Sequence, residues 1–371
     1  MTTNSLPSPR ILMGPGPSSV TPRVLEALGR APIGYLDPEL FTMLDGLRAN
    51  LRTVYGTSNE WTFPLTGTGM AGMESCLSNL LEPGDKVVIG VIGFFGARMV
   101  ELARRLGAEV TVVEGEWGGV LDPDEMAKAI QQSGKLKLVG CVHAETSTGV
   151  HQPLKHIASM AHEQGALFLA DAVTSLGGIS VDIDNNGVDV AYSGTQKCVG
   201  APPGLSPVTV SENAFQIVRN RKSRQSHWFF DWNLLQNYYD APHMYHHTVP
   251  VNMLFALNEA LLEIVDEGLE ERFKRHRDVS AFLLSGLEEL GIHPFVKAEH
   301  RLPTLNTVVI PDSVVDEAAV RARLLQEFGV EIGGGLGALK GKIWRIGTMG
   351  ASATLRNVLT LLGALKRVLS E

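Results

Sequence analysis

Residues 167–197 read LFLADAVTSLGGISVDIDNNGVDVAYSGTQK, and two apolar runs in this stretch decide the fold. Leu167-Phe168-Leu169-Ala170 ends in Asp171, and Val190-Ala191-Tyr192-Ser193 is followed closely by Lys197. Short, continuous apolar runs of this kind fit strands that a parallel sheet buries on both faces. Such sheets bind ligands at the carboxyl ends of their strands. An acid and an amine therefore stand where chemistry is expected. A plain ion pair between them is the alternative.

Working outward, the same pattern recurs. Apolar runs lie at Trp61–Leu65, Val87–Val91, Val110–Val113, Leu136–Val142 and Pro207–Val210. Helical patterns at Met70–Leu81, Gly96–Leu106, Pro123–Gln132 and Leu154–Gln164 separate several of them. This alternation predicts an α/β fold with a mostly parallel sheet covered by helices. Residues 1–20 are rich in Pro, Gly and Ser and read as an extended arm, followed by helices from Thr21 and over Pro38–Tyr55. Residues 212–250 read as long loops. Their aromatic run, Trp228 to Trp232, has no interleaved basic residues and suits a subunit interface better than nucleic acid. Long helices at Val251–Asp266 and Leu269–Leu290 meet at Gly268. Strands at Asn306–Ile310 and Lys342–Ile346 then alternate with helices at Glu317–Phe328 and Ala353–Leu369. The expected organisation is an arm (1–20), a large domain (21–265) and a smaller C-terminal α+β domain (266–371).

Length and composition agree with this reading. A chain of 371 residues suits about two domains. With 44 % hydrophobic and 19 % charged residues it is not a disordered protein. Lys plus Arg is 32 and Asp plus Glu is 40, giving 32 − 40 = −8, which argues against general nucleic-acid binding. The three cysteines, Cys76, Cys141 and Cys198, form no C-x-x-C pair, so a reducing, cytoplasmic location is expected. No apolar run approaches the roughly 20 residues of a membrane span, and the N-terminus has no apolar signal segment.

Three motifs carry chemistry. Gly67-Thr68-Gly69-Met70-Ala71-Gly72 follows a strand and opens a helix. A nicotinamide site would also need an acid after the next strand, but Val87–Val91 runs into Ile92-Gly93-Phe94-Phe95. What remains is a helix start whose free amides can cradle one phosphate, with a ligand-free glycine turn as the alternative. With Lys197 and Asp171 it completes the set that pyridoxal phosphate requires: a Schiff-base lysine, an acid for the pyridinium nitrogen and a phosphate cradle. Phe95 could stack on such a ring or belong to the core. Arg345, inside a short apolar strand, suits a substrate carboxylate or an internal salt bridge. His246 and His247 are adjacent and should point apart. No zinc spacing and no G-x-S-x-G elbow occurs, so neither a metal nor a serine nucleophile is expected.

The chain resembles the class V, fold-type-I pyridoxal-phosphate aminotransferases, in particular the alanine–glyoxylate and serine–glyoxylate (serine–pyruvate) branch. The resemblance runs from Gly14-Pro15-Gly16-Pro17 to the C-terminal helix. It rests on Thr66–Gly69, His143-Ala144-Glu145-Thr146-Ser147-Thr148-Gly149, Asp171–Gly178, Ser193–Lys197, Met244–Thr248 and Gly341–Gly347. The family's fold is a large domain with a mostly parallel seven-stranded sheet plus a smaller C-terminal domain. The resemblance implies that Lys197 binds the cofactor, pyridoxal 5'-phosphate, covalently, that Asp171 pairs with the ring nitrogen, and that Val173 lies against the ring. Thr68, Gly69, Met70 and Gln196 would bind the phosphate, with Tyr245 and Thr248 of a partner subunit, and Thr146 would face the phenolic oxygen. Arg345 would take the substrate α-carboxylate, with Gly16 and Tyr35 beside the substrate. The implied assembly is a homodimer with shared active sites, acting on small amino acids and 2-oxo acids. Mammalian members carry Trp at the position of Phe95 and His at that of Met70. The related ureidoglycine–glyoxylate branch carries Gln at the position of Tyr35 and Asn at that of Tyr245, so both tyrosines favour alanine or serine as donor. A nicotinamide oxidoreductase and a non-catalytic binding protein are the rivals from other classes.

Overall fold

The computed structural model describes residues 6–370; residues 1–5 of the expected arm lie outside the described residues. The arm contains a short strand, β1 (Ile11–Leu12). The main sheet is built from β2 (Trp61–Thr66), β3 (Lys86–Val91), β4 (Glu109–Glu114), β5 (Leu138–Val142), β8 (Leu167–Asp171), β9 (Val190–Tyr192) and β10 (Leu205–Val210). A small hairpin, β6 (Ala144–Glu145) with β7 (Val150–His151), follows β5. The seven strands run in the order β2-β10-β9-β8-β5-β3-β4. Pairing from β9 through to β4 is parallel, and β10 is antiparallel to both its neighbours. The central strands β5, β8 and β10 are buried throughout, which explains their unbroken apolar runs. The edge strand β4 carries exposed Glu109, Thr111 and Glu114, charges and a polar group that discourage pairing with another chain.

The helices start where local chemistry sets them. Thr21, Asp37 and Asp122 accept hydrogen bonds from the first free amides of their helices, and Pro22, Pro38 and Pro123 occupy the first helical position. The region 212–250 departs from the loop expectation. It holds helices Glu212–Arg219, capped by Ser211, and Trp232–Tyr239, capped by Asp231. Trp232 is fully buried, and its indole N–H donates to Ser75 Oγ at 2.9 Å. Only part of the aromatic run faces outward, at Trp228 and Phe229. His246 and His247 do not point apart: their Nδ1 atoms lie 2.7 Å from each other.

A second sheet is formed by β11 (Leu305–Val309), β13 (Gly333–Gly334) and β14 (Ile343–Gly347), in the order β11-β14-β13. It shares a separate core with Val279, Leu283 and Leu287 of the helix Leu269–Glu289 and with Leu361 and Leu365 of the helix Leu355–Leu369. The arm is stitched to this second unit. Strand β1 pairs with β12 (Val330–Glu331), and the Gly347 N–H donates to the Met13 carbonyl at 2.7 Å. The arm then crosses to the Lys197 loop, where Ser18 N–H donates to the Gln196 carbonyl at 2.8 Å and Ser18 Oγ to the Lys197 carbonyl at 2.7 Å.

Candidate active site

A cavity of about 120 Å³ opens at the carboxyl edge of the main sheet, lined by the last residues of β5, β8 and β9: Val142, Asp171 and Tyr192. Its walls include Thr68, Gly69, Met70, Phe95, Thr146, Val173, Gln196 and Lys197. Most of the expected site residues thus share one space.

Asp171 is buried, and both its oxygens accept hydrogen bonds. Val173 N–H donates to Oδ1 at 2.9 Å and the Tyr192 hydroxyl to Oδ2 at 2.7 Å. Burial raises its pKa to about 7, against the pull of these two donors. Burial also pushes the Tyr192 pKa well above its ordinary value, which keeps that hydroxyl a donor. The register pairs Asp171 with Tyr192 across β8 and β9, which brings their side chains together.

Lys197 sits in the loop after β9, with Nζ donating to the Pro15 carbonyl of the arm. Burial lowers its amine to about 8, and the positive charge of Arg345 adds to that effect. Gly16 adopts φ +112°, and a Cβ there would overlap Lys197 Nζ, so the arm can pass the amine only as glycine.

The helix Gly69–Leu80 points its start into the cavity. Thr68 occupies the N-cap position, yet its hydroxyl makes no capping bond and stays available. Gly67 has φ +130°, and Gly69 lies so close to Val173 that a Cβ would press on its Cγ2 at 2.9 Å. The glycines therefore shape the turn and its packing, while the amides remain for an anion. Gln196 Oε1 is buried without an internal partner.

Arg345 on β14 is buried. Its Nε donates to the Gly334 carbonyl at 2.7 Å and its Nη1 to the Thr146 carbonyl at 3.3 Å. The internal salt bridge does not form: among the described residues no carboxylate is bonded to the guanidinium. Burial draws its pKa down to about 10, and the charge of Glu145 opposes this.

Tyr35, Tyr245 and Thr248 do not line the cavity of their own chain. Tyr35 and Tyr245 instead pack against each other, their rings tilted by 44° with centroids 5.2 Å apart, and Tyr245 is largely exposed. Two buried side chains beside the cavity had no role in the sequence reading. Tyr192 is visible in sequence only as the end of a strand. Glu145 stands inside a quoted motif, but its bonds to Phe95 and Gly96 are long-range.

The residues present fit pyridoxal phosphate: a buried amine and a buried carboxylate at the carboxyl edge of the sheet, and a helix start beside them that no side chain caps. The sheet, the second unit and this arrangement define a fold-type-I pyridoxal-phosphate enzyme. The class-V aminotransferase family model matches residues 33–352, and the chain belongs to that family. The chain is 40 % identical over 366 residues to alanine–glyoxylate aminotransferase of Oryctolagus cuniculus, covering 98 % of this chain and 93 % of the relative. It is 38 % identical over 378 residues to (S)-ureidoglycine–glyoxylate transaminase of Bacillus subtilis, covering 97 % and 90 %. A crystal structure of alanine–glyoxylate aminotransferase from Nostoc sp. superposes with TM-score 0.96 at 44 % identity, covering 100 % of this chain and 97 % of that one. The protein is a pyridoxal-phosphate-dependent aminotransferase, with amino and 2-oxo acids as substrates. Among the described residues no helix is long and apolar enough to cross a membrane, and no group of three metal-binding side chains occurs.

Proposed function

We propose that this enzyme moves the amino group of a small amino acid, alanine or serine, to glyoxylate or pyruvate in a ping-pong cycle. The observation that carries the reading is the single cavity holding Lys197, Asp171 and the start of the helix Gly69–Leu80, with Arg345 bonded to its wall at Thr146. When bound, the cofactor supplies an electron sink for the substrate Cα–H bond and a carrier for the amino group.

The chain's residues do the rest. Lys197 holds the cofactor through Nζ. Once free, that amine would take the Cα proton as base and give it up again as acid; a pKa of about 8 suits both roles at neutral pH. Asp171, braced by Val173 and Tyr192, keeps the ring nitrogen positively charged. Thr68, Gly69, Met70 and Gln196 take the phosphate at the positive end of the helix. Val173, Phe95 and Thr146 line the cavity, where the first two would enclose the cofactor ring and Thr146 would face its phenolic oxygen. Arg345 grips the substrate α-carboxylate with the guanidinium edge left free by Gly334 and Thr146. Gly16 leaves room above Lys197.

We infer that the active form is a homodimer. Exposed Tyr245, with Thr248 and the neighbouring Tyr35, then completes the partner's site, Tyr245 and Thr248 closing on the phosphate and Tyr35 narrowing the donor pocket. Three buried free cysteines support a reducing, cytoplasmic location. Steady-state assays with L-alanine, L-serine and (S)-ureidoglycine, each against glyoxylate, test the donor assignment. Preference for ureidoglycine over both amino acids would replace it.

A further inference from the structure

We propose that Glu145 is a positioning residue whose buried carboxylate fixes the start of the helix Phe94–Arg105 and so holds Phe95 against the cofactor cavity. The inference rests on the reading of Phe95 as a ring-enclosing residue.

Glu145 is completely buried in the β6–β7 hairpin. Four donors converge on its two oxygens. Phe95 N–H and Gly96 N–H reach Oε2 at 3.1 and 3.3 Å. Ser147 N–H and its hydroxyl reach Oε1 at 3.0 and 2.6 Å. The Ser147 oxygen in turn accepts the Phe94 N–H at 2.8 Å. The first three amides of the helix are therefore all tied to residues 145–147.

This is an unusual way to start a helix. The cap position is Gly93, which has no side chain to offer, so the acceptor comes from 50 residues away in sequence. A local Ser or Asp would have satisfied the same amides. The long-range version does something a local cap does not: it ties together two elements that both line the cavity, the helix through Phe95 and the hairpin region through Ala144 and Thr146. Gly93 permits the approach, since a Cβ there would overlap Glu145 and Ser147. Every partner of the Glu145 oxygens is a donor, which calls for the ionised carboxylate. The positive end of the helix and the four bonds offset the cost of burying that charge. The same turn also presents the Thr146 carbonyl to Arg345. One short hairpin thus sets both the ring-facing aromatic and the guanidinium.

The test is a double-mutant cycle on cofactor affinity. Apoprotein of the wild type, Glu145→Gln, Phe95→Ala and the double variant is titrated with pyridoxal phosphate, and the thermal midpoint of each apoprotein is recorded alongside. Gln keeps the shape but turns one accepting oxygen into a donor facing other donors. Glu145→Gln should weaken binding about tenfold, as should Phe95→Ala, and the double variant should match the weaker single variant within about twofold. Multiplication of the two single effects, or full affinity in Glu145→Gln, overturns the proposal. Full affinity in Phe95→Ala would instead overturn the reading of Phe95 itself, and the proposal with it. If the Glu145→Gln apoprotein does not fold, Ser147→Ala takes its place in the cycle. It removes only the hydroxyl link and should weaken binding about threefold, again without adding to Phe95→Ala; additivity overturns the proposal there too.

Discussion

The hydroxyl of Tyr192 donates to Asp171 Oδ2 at 2.7 Å, across the junction of two parallel strands at the floor of the cavity. This bond stabilises the charged form of a carboxylate that burial alone would leave protonated. Tyr192→Phe should therefore leave Asp171 a poorer anion. We expect kcat to fall about tenfold, as for loss of one hydrogen bond to a charged group. Unchanged kcat in the folded variant would remove Tyr192 from that role.

Asp171 also makes a prediction about pH and stability of the apoprotein. Its pKa is raised from 3.8 to about 7 by burial. Below the unfolded value both states carry the proton, so the site carries no penalty. As pH rises from about 4 to about 7, the unfolded chain releases the proton while the folded chain retains it, and stability falls. Wild-type apoprotein should thus lose stability relative to Asp171→Asn across this window, by up to roughly 4 kcal/mol, and stay level with further increase. Denaturant titrations of both apoproteins at several pH values decide this; parallel curves would contradict it.

Lys197 should be unusually reactive for an amine. With its pKa lowered to about 8, its rate of modification in the apoprotein should rise through pH 8 instead of near 10.5. Peptide mass spectrometry after brief reductive methylation reads this directly. Lys197→Ala should leave no cofactor fixed to the chain after borohydride treatment, and turnover should fall by roughly 10²–10⁴-fold. Cofactor fixed to the variant at full stoichiometry would transfer the role to another lysine.

Thr248 lies outside the cavity of its own chain, so the proposed contact with the phosphate requires a partner subunit. Inactive Lys197→Ala chains mixed with weakened Thr248→Ala chains should form heterodimers with one intact site each. Activity should rise on mixing as subunits exchange. No recovery, with exchange verified by native mass spectrometry, would count against sharing.

Arg345 offers one guanidinium, already fixed by two carbonyls. Arg345→Lys keeps the charge and loses the fork, so the donor KM should rise by roughly ten- to a hundredfold while cofactor affinity is kept. Glutamate, which would bury a second, unpaired carboxylate, should fall more than about a hundredfold below alanine in kcat/KM. Parity between the two donors would reopen the substrate question.

How far the sequence reached depends on which contacts are local. Asp171 and Lys197 were legible because each follows an apolar strand, and strand ends are where such sheets bind ligands. The helix starts at Pro22, Pro38 and Pro123 were legible from the capping residue before each proline. The pairing of Asp171 with Tyr192 was not, because register between strands joined by a crossover is set by packing of the whole sheet. The bonds of Glu145 to Phe95 and Gly96 were hidden for the same reason. Within 212–250, where the sequence suggests loops, Trp232, Leu235 and Tyr239 recur at helical spacing after a capping Asp231. Density of aromatic side chains obscured that period. The contact between His246 and His247 shows that adjacent residues outside regular structure need not diverge.

One cavity, built around Lys197 and Asp171, is proposed to carry out transamination of a small donor. A single-turnover experiment tests it most directly. Enzyme saturated with pyridoxal phosphate and freed of excess is mixed with isotopically labelled L-alanine, without any acceptor. The expected result is one equivalent of labelled pyruvate per active site, no free ammonia, and then one equivalent of glycine when glyoxylate is added. Release of ammonia, or absence of pyruvate while L-serine and other small donors also fail, would contradict it.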